Sequence, residues 1–117
     1  MKPQVLIVED NFLLTLNLAE VVQQDLDAEP VFASSVSEAL KIDPHGIDLA
    51  FLDIEVLDGK SYPVARKLIE NTVPLIFISG NESASLPADL RDVPFLAKPV
   101  VTRRLVRLCK ALSSAFL

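Results

Sequence analysis

Short apolar runs alternate with longer segments of mixed polarity along the chain. Five runs, each bounded by turn-forming or charged residues, are the candidate strands: residues 5–8, 31–33, 49–52, 75–78 and 95–97. Continuous apolar runs of this length are typical of strands that are covered on both faces. The third run belongs to a stretch, residues 47–53, that ends abruptly on Asp53. We therefore expect a buried central strand that delivers a carboxylate to the edge of a sheet.

The segments between the runs have the pattern of amphipathic helices. They predict helices over residues 12–26, 37–42, 61–70 and 102–116. Asp10 or Asn11 can cap the first helix, because both side chains accept hydrogen bonds from first-turn N–H groups. The apolar positions of this helix are Leu13, Leu16, Val21 and Leu26. In the last helix, the residues expected to face the core are Leu105, Val106, Leu108, Cys109 and Leu112.

A further helix is expected between the last two runs, where residues 81–92 suit one poorly. Asn81, Ser83, Ser85 and Pro87 all disfavour a helix interior. The sequence therefore predicts that the fourth helix of the fold is short or irregular.

Strands that alternate with helices indicate an α/β fold with a parallel sheet and right-handed crossovers. For five such units, the doubly wound strand order 2-1-3-4-5 is the economical solution. The length of 117 residues, half of them hydrophobic, fits one domain over residues 1–117.

Charge and composition narrow the class of partner. The formal net charge of −5 argues against sequence-independent nucleic-acid binding, which depends on a basic surface. A protein or a small charged ligand is the expected partner. Cys109 is the single cysteine and has no partner for an internal disulfide. The chain has no signal-peptide core and no long apolar span, so we expect a cytoplasmic protein that does not bind membranes.

Polar residues stand just past four of the five predicted strands. They are Glu9, Asp10, Asp53, Ser79 and Lys98. In a doubly wound sheet the carboxyl ends of the strands meet at the ligand-binding edge. Two carboxylates about 4 Å apart repel by about 4 kcal/mol at an effective dielectric constant of 20, so three of them need cations or protons. One lysine and a divalent ion would balance them, and all-oxygen ligands favour Mg²⁺, with Mn²⁺ as the alternative.

Such a site suits phosphoryl transfer, because fixed cations stabilise the charge on a phosphoryl group that passes between two atoms in line. Asp53 would be the nucleophile and would form an acyl phosphate. Lys98 and the Ser79 hydroxyl would hold the transferred oxygens.

Four motifs in this order resemble those of the receiver domain of two-component response regulators. They are Val8-Glu9-Asp10, Leu52-Asp53-Ile54, Ser79-Gly80 and Lys98-Pro99. The resemblance covers essentially the whole chain and implies a flavodoxin-like (βα)5 fold. It also implies that Asp53 accepts a phosphoryl group from a phosphohistidine on a sensor histidine kinase or a histidine phosphotransfer protein.

The resemblance assigns further roles. It makes Glu9, Asp10 and Asp53 metal-binding residues, with Asp10 a direct ligand, and adds the backbone carbonyl of Glu55. Ser79 and Phe95 match the switch residues, and the bond before Pro99 is expected to be cis. The family relates the side chains at Glu55 and Asn81 to the lifetime of the aspartyl phosphate.

The chain also departs from the commonest pattern of that family. The loop over residues 55–59 is compact, and the segment from Ser79 to Lys98 is a few residues short. The sequence looks like a stand-alone receiver, a phosphoacceptor that assists its own phosphorylation and dephosphorylation and is not an enzyme. Its output would pass to an unidentified downstream protein, or the domain would serve as a phosphoryl shuttle or sink. The sequence is also compatible with a homodimer.

Two alternatives from other classes stay open. An aspartate-nucleophile phosphohydrolase would use the same chemistry, although its acidic pair follows the nucleophile in the sequence and here precedes it. A phosphorylation-independent interaction domain would have the same fold without the phosphorylation chemistry. The intact set of Glu9, Asp10, Asp53 and Lys98 argues against this alternative.

Overall fold

The computed structural model describes residues 1–80 and 85–117 of the chain. Within these ranges seven strands occur, in the order β1 Gln4–Val8, β2 Glu29–Ala33, β3 Leu49–Asp53, β4 Glu55–Val56, β5 Gly59–Lys60, β6 Leu75–Ser79 and β7 Phe95–Ala97. The α-helices are α1 Phe12–Glu20, α2 Val36–Leu40, α3 Tyr62–Glu70 and α4 Thr102–Leu112. Asn81, together with the rest of residues 81–84, lies outside the described residues.

Five strands form one parallel sheet in the order β2-β1-β3-β6-β7. The two-residue strands β4 and β5 form a separate antiparallel hairpin directly after β3. When the strands of the large sheet are counted by themselves, the predicted order 2-1-3-4-5 is confirmed.

The sheet has an apolar cluster on each face, because successive side chains of a strand point to opposite sides. Ala50 and Leu52 of β3 lie in the cluster that α2 and α3 cover, and Leu49 and Phe51 lie in the cluster that α1 and α4 cover. All five residues of β3 are buried. The central strand therefore has no solvent-facing side, as its continuous apolar run predicts, and it holds Asp53 in a fixed position.

The first helix differs from its prediction. Asn11 is its N-cap and accepts from the Leu14 N–H group, and the α-helical part ends at Glu20 and widens into a π-helical turn over Val21–Asp25. Of the four apolar positions of the predicted helix, Val21 and Leu26 are buried, whereas Leu13 and Leu16 are 71% and 48% exposed. The segment is apolar on most sides, so packing on the sheet decides which side is buried.

The other boundaries depart less from the predicted ones. The last helix ends at Leu112 and is followed by a 3-10 turn, Ser114–Phe116. Between β6 and β7, residues 85–94 contain one 3-10 turn, Ala88–Leu90, and no α-helix. This part of the segment is irregular, as the sequence predicts. Among the described residues, no helix has both the length and the apolar character needed to cross a membrane.

Candidate functional site

The candidate site lies at the carboxyl ends of the sheet strands. Glu9 follows β1, Asp53 ends β3, Ser79 ends β6 and Lys98 follows β7. Backbone hydrogen bonds hold these strand ends together: the Glu9 N–H group donates to the Ala33 carbonyl at 3.0 Å, and the Lys98 N–H group donates to the Ser79 carbonyl at 2.9 Å. The rigid sheet thus brings residues from four distant parts of the sequence to one edge.

Three carboxylates cluster at this edge. Glu9, Asp10 and Asp53 each present an oxygen, and the three oxygens lie within 4.8 Å of one another. Glu9 and Asp53 are 4% and 8% exposed, whereas Asp10 is open to solvent. An all-oxygen donor set with an open side fits Mg²⁺ or Mn²⁺, which keep water ligands and positions for a phosphoryl oxygen.

Lys98 lies between two of these carboxylates. Its Nζ is 3.0 Å from Asp53 Oδ2 and 3.2 Å from Glu9 Oε2. Burial by itself lowers the pKa of Lys98, but the hydrogen bonds and charges of Asp53 and Glu9 outweigh it, and the pKa is raised. The lysine therefore stays charged, and one positive charge faces three carboxylates. That imbalance of charge favours a divalent cation at the site.

Glu9 is held in an unfavourable environment for a carboxylate. Burial raises its pKa above the usual 4.5, and the nearby charge of Asp53 raises it further. The Asn11 N–H group, which donates to Glu9 Oε1 at 3.0 Å, and Lys98 act in the opposite direction. A cation bound here would offset the cost of keeping an ionised carboxylate buried beside Asp53.

The loop after β3 approaches the second oxygen of Asp53. The Glu55 N–H group points to Asp53 Oδ1 at a long 3.4 Å, while Oδ2 is the oxygen that Lys98 binds. The Glu55 side chain is exposed and pairs with Lys60 across the β4–β5 hairpin. Glu55 thus reaches Asp53 through its backbone, and its carboxylate lies at the rim.

The remaining predicted residues lie on β6 and β7. Ser79 is buried at the end of β6, one residue beyond Ile78, which is paired with Asp53. Phe95 is half-buried and packs against the cluster on the α2–α3 face, opposite Phe77. The Lys98–Pro99 peptide bond is cis.

Two features near the site were not anticipated from the sequence. Asp58, at the turn of the β4–β5 hairpin, accepts hydrogen bonds from the first N–H groups of α2. Three of the exposed residues of α1 form an apolar surface directly after the acidic pair: Phe12, Leu13 and Leu16. An Asp-Gly pair indicates a turn but not a distant partner, and the apolar pattern of the helix does not by itself show that both leucines are exposed.

No family model matches the chain, and no curated protein matches it. Among solved structures it is similar to SdrG from Sphingomonas melonis Fr1, with 35% identity over 95% of this chain and 96% of that one and a TM-score of 0.80. The non-phosphorylated HemR receiver domain from Leptospira biflexa is 29% identical, with 96% and 95% covered and a TM-score of 0.78. The receiver domain of the PhyR response regulator from Erythrobacter litoralis, at 21% identity, 96% and 92% coverage and a TM-score of 0.80, supports the fold alone.

The likeness to SdrG runs through nearly the full length of both chains, and the sheet order and the strand-end carboxylates agree with the resemblance drawn from the motifs. By these similarities, the chain belongs to the receiver domains of response regulators.

Proposed function

We propose that this receiver accepts a phosphoryl group on Asp53, in an Mg²⁺-dependent reaction with a phosphohistidine donor. The observation that carries the proposal is the surrounding of Asp53: the Lys98 ammonium lies 3.0 Å from one oxygen, and Glu9 and Asp10 complete a three-carboxylate cluster. A nucleophile flanked by a fixed cation and a cation-binding cluster suits the transfer of an anionic group.

In the proposed reaction an Asp53 oxygen bonds to phosphorus while the bond from phosphorus to the donor's histidine nitrogen breaks. The electron pair of that bond stays on the imidazole. Glu9, Asp10, Asp53 and the Glu55 carbonyl would hold Mg²⁺, or Mn²⁺ in its place, and the ion would supply positive charge for the phosphoryl oxygens. Lys98 would pass from the free carboxylate to a phosphoryl oxygen, keeping its charge throughout.

Ser79 would donate its hydroxyl to another phosphoryl oxygen, because it ends β6 next to the strand that carries Asp53. Phe95 would follow this movement as the switch aromatic. The side chains of Glu55 and Asn81 would tune the lifetime of the aspartyl phosphate by crowding or orienting the attacking water. In this proposal the protein assists its own phosphorylation and dephosphorylation and turns over no separate substrate.

The partner that donates the phosphoryl group would be a cytoplasmic sensor histidine kinase or histidine phosphotransfer protein. The exposed apolar surface of α1, formed by Phe12, Leu13 and Leu16, supports this part of the proposal. Because it directly follows Glu9 and Asp10, a donor that packs on it would bring its histidine close to Asp53. The phosphorylated receiver would then bind a downstream protein, pass its phosphoryl group on as a shuttle, or lose it by hydrolysis as a sink.

Labelling by acetyl phosphate tests the proposal without a cognate kinase. We expect the wild-type protein to be phosphorylated with Mg²⁺ and not with EDTA, and Asp53→Asn to stay unlabelled. Asp48→Asn is the matched control, because this exposed carboxylate precedes the same strand and accepts from the Gln4 N–H group at 2.8 Å. The proposal is wrong if the wild type is not labelled, or if Asp53→Asn is labelled like Asp48→Asn.

A further inference from the structure

The N-terminus of α2 is capped by a residue from a distant loop. Asp58 Oδ1 accepts from the Val36 N–H group at 2.7 Å, and Asp58 Oδ2 accepts from the Ser37 N–H group at 3.0 Å. The next N–H group, that of Glu38, donates to Ser35 Oγ at 3.1 Å. The first three donors of a five-residue helix are thus satisfied, two of them by Asp58. These two bonds lower the pKa of Asp58.

The loop that carries Asp58 is short and closed at its base. The Ser61 N–H group donates to the Ile54 carbonyl at 2.8 Å, and Val56 pairs with Gly59 in the hairpin. Gly59 has φ of 132°, a conformation that favours glycine, so the turn that presents Asp58 depends on it. These contacts make the loop compact, and the hairpin pairing connects its tip to its first residues.

Those first residues are the ones beside the acceptor. The Glu55 N–H group faces Asp53 Oδ1, and the Glu55 carbonyl is the proposed backbone ligand. Glu55 lies at the base of the hairpin, and Asp58 lies at its tip, three residues further along the chain. The hairpin therefore connects the residue that caps α2 to the backbone beside Asp53.

The start of α2 also borders the carboxylate cluster from its other side. A cavity of about 210 Å³ separates the two and is lined by Glu9, Asp10, Phe12, Ala33, Ser34 and Glu38, among others. The Glu38 carboxylate in turn accepts from Ser34. The segment before α2 thus lies between the site and the helix that Asp58 caps, and its Ser34 is bonded to Glu38 of that helix.

We propose that Asp58 is a positioning residue for phosphoryl transfer: by holding the loop after β3 on the N-terminus of α2, it keeps the Glu55 backbone beside Asp53. The inference rests on the proposed function, since it concerns the same metal-dependent site. Coupling of this kind is reciprocal, so a cation that favours the held loop also favours an ordered start of α2. A residue that only capped α2 would affect the stability of the helix and leave cation binding unchanged.

The test compares Asp58→Ala and Asp58→Asn with Asp43→Ala. Asp43 is the matched control, because it is an exposed carboxylate that accepts from the His45 N–H group at 3.0 Å and begins the 3-10 turn Pro44–Gly46 before β3. Mg²⁺ affinity is measured by titration of amide chemical shifts, and hydrogen exchange is measured at the Val36 and Ser37 amides. No phosphoryl donor is needed for either measurement.

We expect Asp58→Ala to weaken Mg²⁺ binding about tenfold, the size of effect typical of groups that orient metal ligands. Asp58→Asn, with one acceptor oxygen left, should be intermediate, and Asp43→Ala should match the wild type. Saturating Mg²⁺ should slow exchange at Val36 and Ser37 in the wild type, and this slowing should be lost in Asp58→Ala.

The possible failures are distinct. If the wild type binds no Mg²⁺, the proposed function fails. The inference is overturned if the wild type and the Asp58 variants bind Mg²⁺ equally well and Mg²⁺ does not slow hydrogen exchange at Val36 and Ser37 in the wild type. Asp58 would then be a helix cap only. Should Asp58→Ala fail to fold, Asp58→Asn and the exchange measurement on the wild type decide the question.

Discussion

Lys98 Nζ lies 3.0 Å from Asp53 Oδ2, although the two residues are 45 positions apart in the sequence. The same ammonium is 3.2 Å from Glu9 Oε2, so one cation serves two buried carboxylates. This arrangement makes Lys98 the group whose removal changes the site most directly.

Replacing Lys98 by alanine should slow the labelling of Asp53 by acetyl phosphate on the order of 10²-fold, the usual effect of deleting one preorganised donor at a developing charge. The rate of labelling at saturating Mg²⁺ is the measurement. Lys110→Ala, on the exposed side of α4, is the control and should label like the wild type. Equal rates for both variants would show that Lys98 takes no part in the transfer.

Mg²⁺ should stabilise the folded protein, because the three-carboxylate cluster exists only in the fold. At a free Mg²⁺ concentration of 100 times Kd, the free energy of unfolding should rise by about 2.7 kcal/mol. Urea unfolding with Mg²⁺ and with EDTA measures the increment. Asp10→Asn should reduce it by weakening the affinity. An unchanged increment at the same Mg²⁺ concentration would remove Asp10 from the ligand set.

Glu9 should make the stability of the metal-free protein pH-dependent. Its pKa is raised in the fold, mainly by burial, so the folded state holds this proton more tightly than the unfolded state does. Ionisation of Glu9 therefore costs stability as the pH rises from 4.5 through the raised pKa. In EDTA, the stability of Glu9→Gln relative to the wild type should grow with pH across that window and level off above it. A difference that stays flat, or shrinks as the pH rises, would contradict this account.

Leu13→Glu should separate donor docking from the chemistry at Asp53. The side chain is exposed in the first turn of α1, where a carboxylate is compatible with the helix dipole, so stability should change by no more than about 0.5 kcal/mol. Transfer from a phosphorylated histidine kinase should fall at least about tenfold, if the α1 surface contributes about 1.4 kcal/mol to docking. Labelling by acetyl phosphate should not change.

The matched control for this variant is Ile69→Glu, which places the same charge at an exposed apolar position near the end of α3. Kinase-dependent transfer to it should equal transfer to the wild type. A similar loss in both variants would mean that the α1 surface has no special role.

Cys109 should not react with thiol reagents in the folded protein. Its side chain is fully buried on α4, and burial raises the pKa of the thiol to about 12. Incubation with 5,5′-dithiobis(2-nitrobenzoic acid) at pH 8 should therefore give almost no release of thiolate until urea unfolds the chain. Rapid release without urea would place the thiol at the surface.

The sequence by itself determined the strand order and the edge at which the polar residues meet. Residues 49–52 form a continuous apolar run, which is typical of a strand covered on both faces, and the alternation of such runs with helices indicates parallel strands. Parallel strands bring their carboxyl ends to one edge. Glu9, Asp53 and Lys98 are therefore predicted at that edge, whereas the distances of 3.0 and 3.2 Å from Lys98 Nζ to the two carboxylates follow from the strand order and the packing of the side chains.

Only the tertiary structure decided which side of α1 is buried and where Asp58 binds. Leu13 and Leu16 match the apolar pattern of a core-facing helix as well as the buried Leu18 does, and the packing of α1 on the sheet leaves the first two exposed. Asp58 accepts hydrogen bonds from Val36 and Ser37, which precede it by 22 and 21 positions in the sequence. Local pattern specifies which residues are neighbours within a helix or strand, whereas contacts between separate elements depend on how those elements pack in three dimensions.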